Sequence, residues 1–312
     1  MIKIVFLDAY SVGKISLEPI TAVGDITLHS ETKAEETVER CKGFEVVITN
    51  KVKLLRDEID QLPELKLICV AATGVNNIDV EYAQSKGIEV KNVPQYSTQS
   101  VAESTFNMVL ALLHNTAYYN DYVQSGDYAF SNKCFNLNRN VSEISAKRWG
   151  IIGMGAIGQR VAAIATAFGA EVSYYSTSGA NNSQPYACVS LSELLSSSDI
   201  VTIHAPLNNK TENLIGADEL KQMKPSAILV NLGRGGIIDE DALAQALNNN
   251  TIAGAGIDVF EYEPMRLDNP LLRLNDKYKL VAAPHCGWAS EEARTVLINR
   301  ISQNITDYVN RK

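Results

Sequence analysis

Positive charge is scarce in this chain. Its 312 residues include 28 lysines and arginines against 36 aspartates and glutamates, so the formal net charge is −8 and the pI is near 5.2. Nucleic acids and anionic membrane surfaces are bound through basic patches, and the sequence has no such patch. We therefore expect neither a nucleic acid nor a membrane to be the main partner.

Cysteines are few, and their spacing suggests no pairing. The five are odd in number, widely separated and without a CxxC pair: Cys41, Cys69, Cys134, Cys188 and Cys286. Such a pattern indicates neither a disulfide framework nor a zinc site. The sequence therefore predicts no metal, and it favours a reducing, cytoplasmic setting.

Long hydrophobic runs are also absent. The opening MIKIVFLDAY is a short apolar run interrupted by Asp8, without the long apolar region and cleavage site of a signal peptide. Hydrophobic residues make up 46% and charged residues 21%, which is typical of a globular protein. The length favours two domains over one.

The first hundred residues alternate short apolar runs with helical patterns. In order they read IKIVFLD, TKAEETVERCKG, FEVVITN, LKLICVAATG, VEYAQSKG and IEVKNVP. This spacing predicts βαβ units, which build a parallel sheet with helices on its faces. Residues 101–123 then keep a helical period for longer than a strand can, so we predict one long helix there.

A second alternating series begins at residue 147. Its apolar runs lie within KRWGIIGMGAIG, GAEVSYYS, DIVTIHAPL, KPSAILVNLG, TIAGAGIDVF and YKLVAAPHCG. The pattern predicts a second parallel, doubly wound sheet, and the final SEEARTVLINRISQNITDYV predicts an amphipathic helix. The fold class is therefore α/β with two doubly wound parallel-sheet domains.

The stretch GIIGMGAIG carries a glycine pattern. Gly153, Gly155 and Gly158 form GxGxxG between a strand and a helix, and Ala156 and Ile157 lie inside the pattern. The glycines allow a tight turn, close approach to a pyrophosphate and close helix packing, with the phosphates at the helix N-terminus. Glycines can also merely turn the chain, but the βαβ context favours a dinucleotide-binding site.

The choice between NAD and NADP is left open by the next strand end. An NAD enzyme is expected to have an acidic residue about 20 residues after the glycines, where EVSYYSTSG offers Ser176 and Thr177. The missing carboxylate removes repulsion toward a 2′-phosphate, yet no arginine follows. The pattern favours NADP slightly, and the alternative is that this turn is only a polar loop.

Arg234 stands among three glycines directly after the apolar run SAILV. Ligands bind outside the carboxyl ends of strands in doubly wound sheets, so a guanidinium here could grip a carboxylate through two charge-assisted hydrogen bonds. The alternative is a surface arginine that pairs with Asp239 or Glu240.

Two further strand ends carry polar residues. His285 follows KLVAAP, and histidine is the side chain best suited to exchange a proton near neutral pH. Glu263, with Glu261 as its rival, could hold the imidazole by a hydrogen bond. Asp258 lies in an apolar strand, and burial requires that a cofactor hydroxyl or a structural partner satisfy it.

Motifs along nearly the whole chain support a narrower interpretation. They are AATGVNNID at 71–79, GIIGMGAIGQ at 150–159, HAPLNNKTENLI at 204–215, MKPSAILVNLGRGGIIDEDALAQAL at 223–247, AGAGIDVFEYEP at 253–264 and PHCGWASEEAR at 284–294. With these motifs the chain resembles the D-isomer-specific 2-hydroxyacid dehydrogenase family. The segment WASEEAR resembles its glycerate dehydrogenase/hydroxypyruvate reductase branch.

The resemblance implies a role for each matching residue. Arg234 would orient the substrate, His285 would be the acid/base and Glu263 its partner. The backbone of Thr73, Gly74 and Val75 would hold the substrate carboxylate. Four residues would contact the cofactor: Pro206, Thr211, Leu232 and Asp258.

The resemblance also implies a domain arrangement. A Rossmann cofactor domain, residues 100–285, would be inserted in a flavodoxin-like substrate domain made of residues 1–99 and 286–312. Members are commonly homodimers, so we expect a homodimer.

The implied reaction is hydride transfer between NAD(P)H and a small 2-oxo acid, with hydroxypyruvate and D-glycerate as the expected pair. Glyoxylate or D-lactate as the preferred substrate is an alternative within the family. An alternative of another class is a non-catalytic NAD(H)-sensing protein similar to a corepressor.

Overall fold

The computed structural model describes residues 2–311, which form two compact units. The first unit combines the chain up to Ser97 with the segment from Ala289 onward, and the second unit is Thr98–Trp288. Among the described residues no helix is both long and apolar enough to cross a membrane, and no group of three or more metal-ligating side chains is present.

The first unit is built on a five-stranded parallel sheet. Its strands are β1 (Ile2–Phe6), β2 (Gly24–Leu28), β3 (Val46–Thr49), β4 (Leu67–Val70) and β5 (Glu89–Lys91), in the order β2-β1-β3-β4-β5. The helices are α1 (Glu18–Thr21), α2 (Thr37–Cys41), α3 (Arg56–Ile59), α4 (Val80–Ser85) and the C-terminal helix (Glu291–Val309). Every residue of β3 and β4 is buried, which explains why these strands are continuous apolar runs.

The second unit is built on a seven-stranded parallel sheet. Its strands are β6 (Arg148–Ile152), β7 (Glu171–Tyr175), β8 (Ala187–Cys188), β9 (Ile200–Ile203), β10 (Ile228–Asn231), β11 (Gly254–Ile257) and β12 (Leu280–Ala282), in the order β12-β11-β10-β9-β6-β7-β8. The helices are α5 (Thr98–Leu113), α6 (Thr116–Gln124), α7 (Asp127–Phe130), α8 (Ala156–Ala167), α9 (Leu191–Ser197), α10 (Ala217–Gln222) and α11 (Glu240–Asn248). The predicted class, α/β with two parallel sheets, is confirmed.

The register of the central strands fixes which residues become neighbours. Ile152 at the end of β6 pairs with Ile203 of β9, Ile203 pairs with Asn231 of β10, and Asn231 pairs with Ile257 of β11. The residues that follow these strand ends therefore lie side by side at one edge of the sheet, the edge where doubly wound folds bind ligands.

The single long helix predicted over residues 101–123 is wrong. The structure has two helices, α5 and α6, separated at Asn115, whose backbone is left-handed with φ 50° and ψ 41°. Asparagine tolerates this conformation better than most residues. The break is stabilised from outside the helix, because the amide of Ser142 donates to the carbonyl of Leu113 and the Asn115 side chain donates to the carbonyl of Asn140.

His204, directly after β9, is an unusual histidine. Both of its ring nitrogens are buried and have no hydrogen-bond partner among the described residues, although part of the residue reaches the surface. Burial lowers its pKa from 6.5 to about 3, because the charged imidazolium would lose its hydration. The folded protein therefore holds this imidazole neutral.

The neutral His204 makes stability depend on pH. The pKa is lower in the folded chain than in the unfolded chain, so the unfolded chain takes up the proton first and stability is lost as the pH falls below 6.5. At about 1.4 kcal/mol per pH unit, we expect roughly 1.5 kcal/mol less free energy of unfolding at pH 5 than at pH 6.5 from this residue.

Urea unfolding of the cofactor-free protein at the two pH values measures this contribution. His204→Leu, which has a similar volume, should remove it. His114→Leu, at an exposed histidine, is the control and should leave the pH dependence unchanged. An identical pH dependence in the wild type and His204→Leu would show that His204 is not the group responsible.

Candidate active site

The glycine loop lies between β6 and α8. A Cβ atom on Gly153, whose φ is +92°, would stand 2.9 Å from the amide nitrogen of Ala205, and one on Gly158 would stand 2.2 Å from the carbonyl oxygen of Gly153. Both glycines are therefore required by the packing of the protein itself. A Cβ on Gly155 would meet no atom within 4 Å, so the space beside this glycine is open to a ligand.

Two unsatisfied polar side chains flank the glycine loop. The hydroxyl of Ser176, after β7, and both ring nitrogens of His204, after β9, are buried without a hydrogen-bond partner among residues 2–311. Because β7 and β9 are the two neighbours of β6, these groups stand on either side of Gly153. Buried polar groups are normally satisfied.

The loop and its flanks together fit a dinucleotide. The open space at Gly155 lies at the start of α8, where Ala156 and Ile157 present first-turn amides without intrahelical acceptors and the helix dipole favours phosphate. Ser176 and Thr177 could hold a ribose, and no carboxylate stands at either position.

The remaining predicted cofactor residues are divided between a turn and the core. The hydroxyl of Thr211 donates to the carbonyl of Pro206 at 2.6 Å and accepts the amide of Asn208 at 2.9 Å, so this buried hydroxyl is used to form the turn. Leu232 is 6% exposed and packs in the core next to β10.

Arg234 is exposed at the end of β10, and no carboxylate among the described residues pairs with it. The alternative partners are occupied elsewhere, because Asp239 caps α11 and the Glu240 carboxylate accepts bonds from Glu261 and Asn269. The one hydrogen bond of the guanidinium runs from Nη1 to the carbonyl of Gly233 at 2.8 Å. The charge is therefore available to an anionic ligand.

His285 and Glu263 form a close pair. Nδ1 of His285 lies 2.7 Å from Oε2 of Glu263, and these side chains are 24% and 32% exposed. The other carboxylate oxygen of Glu263 accepts the amide of Phe260 at 3.2 Å, which orients the carboxylate. The structure thus brings Glu263, and not Glu261, to the imidazole. A proton on Nδ1 leaves Nε2 as the nitrogen that can exchange a proton with a ligand.

The carboxylate of Asp258 holds the backbone that carries His285. It accepts the amides of Cys286 at 2.9 Å and Gly287 at 3.0 Å, and its own carbonyl accepts the amide of His285 at 2.7 Å. Burial raises the pKa of the Asp258 carboxyl, while the bonds from Gly287 and Cys286 act to lower it. Of the two partners considered for Asp258, the structure supplies the structural one.

Other side chains hold the same loop. The indole of Trp288 donates to the carbonyl of His285 at 3.0 Å, and the hydroxyl of Ser100 donates to the carbonyl of Gly287 at 2.8 Å. His285 needs this support because its φ of 52° lies in the left-handed region, which is unfavourable for residues other than glycine.

The three predicted substrate residues form a loop after β4 in the first unit. The hydroxyl of Thr73 donates to the carbonyl of Val93 at 3.2 Å, and its carbonyl accepts the side-chain amide of Asn92 at 2.6 Å. Within residues 2–311, the backbone N–H groups of Thr73, Gly74 and Val75 donate no hydrogen bond. Successive unused amides of this kind can bind an anion.

Two asparagines of these loops were missed in the sequence. Asn92 holds the carbonyl of Thr73, and Asn231 binds the backbone on both sides of Leu232 and Arg234. The available signal was the amide at the end of the apolar strand ILVN, which has no reason to be buried unless it binds the main chain.

Comparison with known proteins agrees with this geometry. Residues 106–287 match the family described as D-isomer specific 2-hydroxyacid dehydrogenase, NAD binding domain. The chain is 38% identical to the glycerate dehydrogenase of Methylorubrum extorquens, covering 98% of this chain and 96% of that protein. It is 33% identical to the hydroxypyruvate reductase of Blautia hydrogenotrophica, covering 98% and 97%.

A solved structure is similar over the same extent. The acyclic imino acid reductase Bsp5, in complex with NADPH and D-Arg, superimposes with a TM-score of 0.84 and 31% identity, covering 100% of this chain and 98% of that one. The chain is therefore an NAD(P)-dependent oxidoreductase that belongs to the D-isomer-specific 2-hydroxyacid dehydrogenase family.

Proposed function

We propose that the protein reduces hydroxypyruvate to D-glycerate with NAD(P)H and catalyses the reverse oxidation. The observation that carries the proposal is the His285–Glu263 pair, which stands in the same unit as an arginine without a carboxylate partner. A proton donor and an unpaired guanidinium are the two groups that reduction of a 2-oxo acid requires of the protein. The choice of hydroxypyruvate rests on the relatives named above.

We assign the proton transfer to His285. A bound reduced nicotinamide supplies the hydride to the substrate carbonyl carbon. Nε2 of His285 donates a proton to the oxygen on that carbon, and the Glu263 carboxylate stabilises the charged imidazolium before the transfer. In the oxidation, the same nitrogen takes the proton from the hydroxyl.

We assign substrate binding to Arg234 and to the loop Thr73–Val75. A guanidinium can hold a carboxylate and the neighbouring oxygen through parallel N–H groups, and it also stabilises negative charge that develops on that oxygen. The unused amides of Thr73, Gly74 and Val75 support binding of the substrate carboxylate.

The function is tested by following oxidation of NADH and NADPH with hydroxypyruvate, glyoxylate, pyruvate and 3-phosphohydroxypyruvate. We expect the highest kcat/KM with hydroxypyruvate. His285→Ala should lower kcat by about 10²- to 10⁴-fold, because general acid catalysis contributes that much. His114→Ala, at an exposed histidine outside the site, is the control and should keep wild-type kcat.

Two outcomes would contradict the proposal. Normal turnover by His285→Ala would refute the acid/base assignment. Binding of NADPH without turnover of any of the four acids would favour a cofactor-sensing protein.

We infer a slight preference for NADPH over NADH. The buried hydroxyl of Ser176 has no partner, and no carboxylate at positions 176–178 would repel a 2′-phosphate. The NADPH complex of the imino acid reductase is consistent with this preference.

Ser176→Asp should shift the kcat/KM ratio toward NADH by about 10-fold or more, because a carboxylate there binds ribose hydroxyls and repels the 2′-phosphate. Steady-state rates with both cofactors measure the shift. Ser178→Asp, an exposed site two residues further on, controls for a general effect of charge. A strong wild-type preference for NADH would contradict the inference.

We propose that the protein is a homodimer. The exposed apolar segment, residues 123–141, presents Val123, Tyr128, Phe130, Phe135, Leu137 and Val141 to solvent. Phe135 is 70% and Leu137 77% exposed. Exposed apolar groups concentrated in one segment mark interaction sites, which supports a contact between two copies.

The double variant Phe135→Asp/Leu137→Asp should convert the dimer to a monomer, because charges in an apolar interface lose hydration without a partner. Light scattering coupled to gel filtration measures the mass. Leu267→Asp is the control, since Leu267 is 92% exposed outside the segment. A monomeric wild-type protein, or a variant that stays dimeric, would contradict the proposal.

We also propose a reducing compartment such as the cytoplasm. All five cysteines are free thiols, and Cys134, Cys188 and Cys286 are exposed. Exposed thiols persist where the environment keeps them reduced.

A further inference from the structure

Asn231 closes a ring of hydrogen bonds around the backbone of Arg234. It is the last residue of β10 and is 1% exposed. Its Nδ2 donates to the carbonyl of Arg234 at 2.8 Å, and its Oδ1 accepts the amide of Gly233 at 2.9 Å. Both bonds join a side chain to the main chain, so this one amide fixes the turn from residue 231 to residue 234.

The turn has no room to move on either side. A Cβ on Gly233 would stand 2.8 Å from the carbonyl oxygen of Ala205, and one on Gly235 would stand 1.8 Å from the carbonyl oxygen of Phe260. The main chain on both sides of Arg234 is therefore confined between two neighbouring loops. Asn231 supplies the polar contacts that select one conformation within that space.

The side chain of Arg234 is held by little else. Its guanidinium bonds only the carbonyl of Gly233, the residue whose amide Asn231 binds, and no carboxylate in the described chain restrains it. The direction of the guanidinium thus depends on where the main chain of residues 233 and 234 is placed.

We propose that Asn231 is a positioning residue that sets the substrate-binding geometry of Arg234. This inference rests on the proposed function, in which Arg234 binds the substrate. Asparagine is required because the site needs one donor, toward the carbonyl of Arg234, and one acceptor, for the amide of Gly233. Aspartate has the same shape but would place an oxygen against the carbonyl oxygen of Arg234.

A double-mutant cycle separates positioning from a general structural role. Asn231→Ala and Asn231→Asp are made in the wild type and in Arg234→Ala, and kcat and KM are measured with the 2-oxo acid that the wild type reduces best. In the wild type we expect kcat/KM to fall about 10- to 100-fold, with a rise in KM, because small displacements of a substrate-binding group have effects of this size. In Arg234→Ala the same changes should alter kcat/KM by less than about 2-fold, since the group that Asn231 positions is already absent.

Two further measurements separate stability from positioning. The Kd for NADPH, from fluorescence titration, should change by less than about 2-fold in Asn231→Asp, because β10 and the glycine loop are retained. Thr202→Val is a matched control: Thr202 is a buried polar residue of the neighbouring strand, and its hydroxyl accepts the indole N–H of Trp149 at 3.1 Å. This variant should lower Tm while keeping the wild-type KM. Asn231→Asp retains the acceptor for Gly233 and serves if Asn231→Ala fails to fold.

Each outcome decides a different point. Equal losses from the Asn231 variants in both backgrounds would overturn the positioning role and assign Asn231 to stability alone. Wild-type kinetics of both Asn231 variants, beside an impaired Arg234→Ala, would overturn this inference and leave the proposed function intact. Wild-type kinetics of Arg234→Ala would overturn the role of Arg234 in the proposed function and, with it, the positioning role.

Discussion

The in-register parallel pairing of β6, β9, β10 and β11 is the constraint on which the candidate site depends. Because Ile152, Ile203, Asn231 and Ile257 are paired across the sheet, the four strands end at one level. The glycine loop, His204, the arginine turn and Asp258 are each the immediate continuation of one of these strands. A shift of one residue in any pair would turn that strand's side chains to the opposite face and separate its loop from the others.

The sequence was sufficient for the parts of the fold that repeat locally. Apolar runs such as SAILV and KLVAAP predicted strands because buried parallel strands are apolar on both faces. The break at Asn115 could not be predicted, because it depends on hydrogen bonds from Ser142 and Asn140, more than twenty residues away. A helical period records which face is buried, and it carries no information on contacts of this kind.

The candidate site could be predicted to the same limit. Positions after strand ends identified Arg234 and His285, because the edge of a doubly wound sheet is known before its loops are. The choice between Glu261 and Glu263 needed the course of the loop after β11, where the amide of Phe260 binds the Glu263 carboxylate. Asn231 escaped notice because its function lies in contacts with the main chain, which has the same chemistry at every residue.

The empty space beside Gly155 has a consequence for how substitutions at the glycines are distributed. Side chains at Gly153 or Gly158 collide with the protein and are rejected at the stage of folding, whereas a methyl group at Gly155 meets no protein atom. Folding therefore exerts no selection against alanine at position 155, and any intolerance of it reports the ligand alone. Among the three glycines, this position separates the requirements of the ligand from those of the fold.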